Sequence, residues 1–125
     1  MRLKAIVNSA WSIGGMDIPR FSRYIRLLFQ TALLHQEATA VELLGSIEQH
    51  IIDAAQTEQP YPYEEIEWIA TTAFNHAVDF YCTEEDAKCK QWASRAISIA
   101  SHLKDGHALR DILVEKLAGL SFSGV

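Results

Sequence analysis

From Ile66 to Cys82 the chain reads IEWIATTAFNHAVDFYC, with neither a glycine nor a proline to interrupt it. Ile66, Ile69, Ala70, Ala73, Phe74, Ala77, Val78, Phe80 and Tyr81 recur at helical steps and cover more than half of a helix circumference. A helix so widely apolar is expected to be buried on two sides, which predicts a stack of helices. Three acids, Glu64, Glu65 and Glu67, fall in its first turn and favour the positive end of its dipole.

The same period runs through the rest of the chain. Phe21, Ile25, Leu28, Phe29 and Ala32 share one face, with Arg23, Arg26 and Gln30 opposite, predicting a helix over about 18–35. Asp17 is its expected N-cap, and Pro19 suits a first turn, where a missing N–H costs nothing. Ala40, Val41, Leu44, Ile47, Ile51 and Ala55 predict a second helix over about 37–56. The segment TEQPYPY, residues 57–63, ends it, because its two prolines remove donors and fix extended backbone. TEED, residues 83–86, reads as a variant capping box with Thr83 as N-cap, opening a helix whose stripe is Cys89, Trp92, Ala93, Ala96, Ala100 and Leu103. Asp105-Gly106 makes a turn, and Leu109, Leu113, Leu117 and Leu120 mark a last helix ending near Gly119. Helical spacing also links Leu3, Ile6, Val7 and Ala10 before Gly14-Gly15.

No strand-like alternation occurs anywhere, so the chain is expected to be all-α, with about five helices. Short turns between long helices predict antiparallel hairpins over about 18–56 and 63–103, with a terminal helix over about 106–120. The second hairpin compares with the tetratricopeptide unit of about 34 residues. Phe74 takes the first large position of that unit's first helix and Tyr81 its tyrosine position. With one residue deleted in the turn, Cys89, Ala93 and Ala96 take the small or aromatic positions of its second helix. Val78 stands where the unit has glycine and no proline closes it, so the repeat is degenerate.

Hydrophobic residues are 49% of the chain and charged ones 22%, a globular balance that argues against disorder. The net charge of -5 is unevenly spread. Residues 1–35 hold five basic residues and one acid; residues 37–86 hold twelve acids and no Lys or Arg; from Lys88 on there are six basic residues and three acids. Such a layout makes a poor nucleic-acid surface, and binding through Arg20, Arg23 and Arg26 ranks behind other readings. Cys82 and Cys89 form neither a CxxC motif nor a disulfide framework and are expected as free thiols in a reducing compartment. No run of 18 apolar residues and no signal-like start occur, so a soluble intracellular protein without membrane contact is expected.

Two functional classes follow. His76 and Asp79 stand at i and i+3, the spacing of an Asp-oriented general base, so one class is a small helical enzyme or ligand-binding bundle using this pair. The sequence supplies it with no nucleophile or second acid. The reading favoured over it treats these groups as structural, with Asn75 bonding backbone across a hairpin, His76 and Asp79 facing a neighbouring helix, and Asp79→Ala costing stability. The cysteine and histidine spacings fit no zinc pattern, Gly14-Gly15 lacks the features of a phosphate loop, and no metal or cofactor is expected. The favoured class is a non-enzymatic protein-interaction module, with Trp11, Trp68, Trp92, Glu64, Glu65 and Glu67 as contact residues and self-association through exposed solenoid ends.

YPYEEIEWIATTAFNHAVDFY, then CKQWASRAISIA and DGHALRDILVEKLAGLSF, resembles the C-terminal region of fungal meiosis-specific tetratricopeptide proteins of the sporulation-specific protein twenty-two type, related to the animal testis-expressed protein eleven. Glu64–Trp68, Phe74-Asn75, Asp79, Tyr81 and the Trp92 to Ala96 spacing carry the likeness, which with RFSRYIRLLFQTAL spans most of residues 18–122. The resemblance implies a nuclear, non-enzymatic α-solenoid scaffold on meiotic chromosomes, promoting crossovers (reciprocal recombination) and synaptonemal complex assembly through protein partners. Family members carry many repeats; this chain has about two hairpins. It is therefore expected as a single helical-repeat domain over residues 1–125 or as a C-terminal fragment of a longer solenoid. The family has no catalytic residues to carry over.

Overall fold

A computed structural model describes residues 18–57 and 60–120. They form five α-helices and no strand: α1 Ile18–His35, α2 Glu37–Ala54, α3 Tyr63–Cys82, α4 Asp86–Ala100 and α5 Ala108–Ala118. The chain is all-α, as its periodicity requires. The expected cap Asp17, the stripe from Leu3 to Ala10 and Trp11 lie outside the described residues. The chain divides into two compact units, Met1–Glu65 and Ile66–Val125.

In the first unit, Pro19 sits in the opening turn of α1, and the buried Ser22 hydroxyl donates to the Pro19 carbonyl at 2.7 Å. Gln36 alone joins α1 to α2. Its N–H donates to Ala32 O at 2.7 Å, and its own carbonyl accepts from Ala40 N at 2.9 Å, so one residue ends one helix and starts the next. The two helices pack together. Phe21, Ile25, Phe29 and Ala32 from α1 and Ala40, Leu43, Leu44, Ile47, Ile51 and Ala54 from α2 are buried. Leu43, Ala54 and His50 belong to this core although the sequence stripe omits them, while Ala55 is exposed. Thr57 donates to Ala54 O at 2.8 Å just past the end of α2. The prolines that follow carry Tyr61 between them, and its ring is only 4% exposed.

In the second unit, α3 buries Ile66, Ile69, Ala70, Ala73, Phe74, Ala77 and Phe80, and α4 buries Cys89, Trp92, Ala93, Ala96, Ile99 and Ala100. Alanines on both helices leave room for large rings elsewhere. Trp92, 1% exposed, lies 4.6 Å from the His76 ring and 6.0 Å from Phe80, centroid to centroid, tying α4 to α3. α5 packs on α4 but buries only Leu113.

The expected capping box at TEED does not form. Thr83 donates back to Phe80 O at 3.1 Å, and α4 begins at Asp86 with Glu85 as an N-cap whose side chain makes no cap hydrogen bond. The segment instead closes α3. Glu84 N donates to Tyr81 O at 3.1 Å and Glu85 N to Phe80 O at 2.9 Å, the paired bonds of a Schellman motif, with Glu84 at φ 62°. Competition between two helix ends for four residues decides this: the orphan carbonyls of α3 are satisfied first. The Asp105-Gly106 turn forms as read, with Gly106 at φ 68° and His107 at φ 64°. The Asp105 carboxylate accepts from Leu109 N at 3.2 Å, capping α5 from outside.

Candidate interaction surface

The charged and aromatic residues around the proline turn divide into anchored and exposed groups. Glu65, in the first turn of α3, receives a bidentate hydrogen-bonded ion pair from Arg26 of α1, Nε to Oε1 at 2.9 Å and a guanidinium NH2 nitrogen to Oε2 at 3.1 Å. Its side chain is 13% exposed, so Glu65 serves to fix the chain and has little surface for a partner. Tyr61 is held nearby. Burial pushes its hydroxyl far up in pKa, Glu65 adds to that, and Arg26 opposes it. No group among the described residues hydrogen-bonds the Tyr61 hydroxyl.

Glu64, Glu67 and Trp68 fall at i, i+3 and i+4 on α3; the two acids are exposed and Trp68 is half-buried. Trp92 is a core residue in the second unit and presents no surface. Trp11 lies outside the described residues. The helical wheel of α3 continues the exposed side through Thr71, Asn75, Asp79 and Cys82, a polar face without an exposed aliphatic residue.

His76, Asn75 and Asp79 part company on this wheel. His76 turns inward, edge-on to Phe80 at 5.0 Å and 89°, and against Trp92. Asn75 and Asp79 point to solvent. The expected backbone bond from Asn75 is not made, Asp79 does not face a neighbouring helix, and no hydrogen bond joins Asp79 to His76 in the described residues. Asn75 and His76 are adjacent and so diverge around the helix: Asn75 and Asp79, four apart, share the solvent side, while His76 falls toward Phe80 and Trp92.

The other chemistry-bearing residues are dispersed. Among the described residues no group of three His, Cys, Asp or Glu could hold a metal ion, and no helix is long and apolar enough to cross a membrane. Cys82 is exposed and Cys89 buried. Burial, reinforced by Asp86 and opposed by Lys90, pushes the Cys89 thiol up and leaves it a core residue. Of the three arginines in α1, Arg26 is engaged by Glu65, while Arg20 and Arg23 lie on the exposed side.

That exposed side holds what the sequence stripes leave unread. Leu27 is 60% and Leu34 79% exposed, on the face opposite Phe21, Ile25 and Phe29. α1 contains no Asp or Glu, so the face is at once apolar and basic. On α2 Ile52 is 39% exposed, and on α5 Ile112 and Val114 are 49% and 46% exposed. A signal for these positions was present: each is an aliphatic residue on the polar arc of its own helical wheel. No family model, curated protein or solved structure matches the chain.

Proposed function

We propose that this chain is a non-enzymatic protein–protein interaction module, working through aliphatic side chains held on the outer faces of its helices. The observation that carries the reading is the exposure of Leu34 and Leu27 on a helix already fixed to its neighbours by a filled apolar stripe. Side chains of this kind gain from leaving water, at roughly 25 cal/mol per Å² of apolar surface covered. Glu64 and Glu67, exposed beside the half-buried Trp68 on α3, are read as further contact residues on that helix. The alternative, a small helical ligand-binding bundle or enzyme using His76 and Asp79, ranks behind this reading because Asp79 points to solvent while His76 packs against Phe80 and Trp92. The degenerate tetratricopeptide solenoid, the nucleus, and a role on meiotic chromosomes in crossover formation and synaptonemal complex assembly belong to this proposal through the resemblance of residues 18–122 alone.

Affinity capture from meiotic and vegetative cells tests it, with the unaltered chain beside Leu34→Glu and Ile112→Glu. The expected result is a set of proteins captured by the unaltered chain and lost from at least one variant that melts at the same temperature. Identical capture by all three chains, or turnover of a small molecule abolished by Asp79→Ala, would overturn it.

A further inference from the structure

The exposed face of α1 is chemically specific, and its counterpart lies in the same unit. Along α1 the exposed side reads Arg20, Arg23, Leu27, Leu34, basic at the N-terminal end and aliphatic toward the C-terminal end, with no acid in the helix. Along α2 the exposed side reads Ala38, Glu42, Gln49, Ile52, Asp53, with no base other than the buried His50. Glu42 comes first here and Ile52 later, as cation and aliphatic do on α1, with a second acid, Asp53, directly after Ile52. Arg23 and Leu34 are eleven positions apart and Glu42 and Ile52 ten. At about 1.5 Å per residue these intervals are about 16 and 15 Å. The two faces therefore match in length, in order and in opposite sign. The exposed side of α3 carries acids too, but no exposed aliphatic side chain to meet Leu34.

We infer that the α1 face docks on the α2 face of a second copy of this chain, the two helices running parallel, with Arg23 opposite Glu42 and Leu34 opposite Ile52. This rests on the interaction-module reading and names the partner of its principal surface. The contact joins unlike faces, so a docked pair leaves one face of each kind open, and the assembly grows head to tail unless the rotation closes a ring. The ion pair at its edge sets register and polarity, while the leucines and Ile52 supply the apolar centre.

Sedimentation velocity on the full chain at rising concentration tests the inference. The unaltered chain is expected to shift toward larger species. Leu34→Glu and Arg23→Glu each weaken that shift by roughly tenfold or more, and Arg23→Glu combined with Glu42→Arg in one chain restores it. Leu34 and Arg23 are exposed, so far-UV circular dichroism and melting are expected to stay unchanged, which separates lost docking from lost folding. A chain that remains monomeric throughout overturns self-docking while leaving capture of other proteins to stand or fall by the pull-down above. Association that survives Leu34→Glu, or that the paired charge exchange fails to restore, overturns it as well.

Discussion

At the level of single residues, His50 offers the clearest test of the first unit's core. It is 6% exposed, edge-on to Phe21 at 5.3 Å, with Asp53 its charged neighbour. Burial lowers its pKa below the ordinary 6.5, and Asp53 only partly offsets this. Well above 6.5 neither the folded nor the unfolded state holds a proton there, and this residue contributes no pH dependence. As pH falls below 6.5 the unfolded chain takes up the proton before the folded one, so stability falls. Urea unfolding followed across this range is expected to show that decline, and His50→Leu to show a shallower one. Tyr61 makes the opposite kind of prediction. Its buried hydroxyl meets no partner among the described residues, so Tyr61→Phe is expected to leave stability unchanged or raise it by up to about 1 kcal/mol in the same unfolding experiment. A third concerns backbone: Glu84 holds a left-handed φ of 62°, which Glu84→Gly relieves, with an expected gain of roughly 0.5–1 kcal/mol.

Among the elements, the ion pair from Arg26 to Glu65 fastens α1 to the first turn of α3. Both side chains are partly exposed, at 33% and 13%, so solvent weakens the pair even though its geometry is bidentate. Arg26→Ala is expected to cost about 1 kcal/mol, and added salt to narrow the difference between variant and unaltered chain. The helices themselves were legible in the sequence because apolar spacing and burial have the same cause. α1 matches its expected span of 18–35, and α3 runs from Tyr63 to Cys82, with Glu64 and Glu65 in its first turn as expected. The misreadings occur where residues compete locally. Thr83 had the residue type and spacing of an N-cap, but the end of α3 used its hydroxyl and the following amides. A one-dimensional pattern does not say which of two helix ends claims a shared polar group. The same holds for Trp92, whose size suggests a contact anchor as well as a core residue; only packing against His76 and Phe80 decides between them.

At the scale of the molecule, the three aromatic residues His76, Phe80 and Trp92 pack ring against ring in the second unit. Trp92→Ala is accordingly expected to cost roughly 3–5 kcal/mol, and a melting curve would show it. Asp79→Ala, for which the sequence suggested a loss of stability, is now expected to stay within about 0.5 kcal/mol of the unaltered chain, because its carboxylate is in solvent. The candidate surface was less legible than the fold. Leu27, Leu34, Ile112 and Val114 are ordinary helix-forming choices whose place on the polar arc of each wheel was the one sequence sign of the exposure that sets them apart from the core.

The most direct measurement compares Leu34→Glu with Asp79→Ala side by side, each scored for melting temperature and for the proteins or second copies it retains. If function resides in exposed apolar faces, both variants melt like the unaltered chain, Leu34→Glu loses its partners and Asp79→Ala keeps them. Retention by Leu34→Glu together with loss in Asp79→Ala would contradict it.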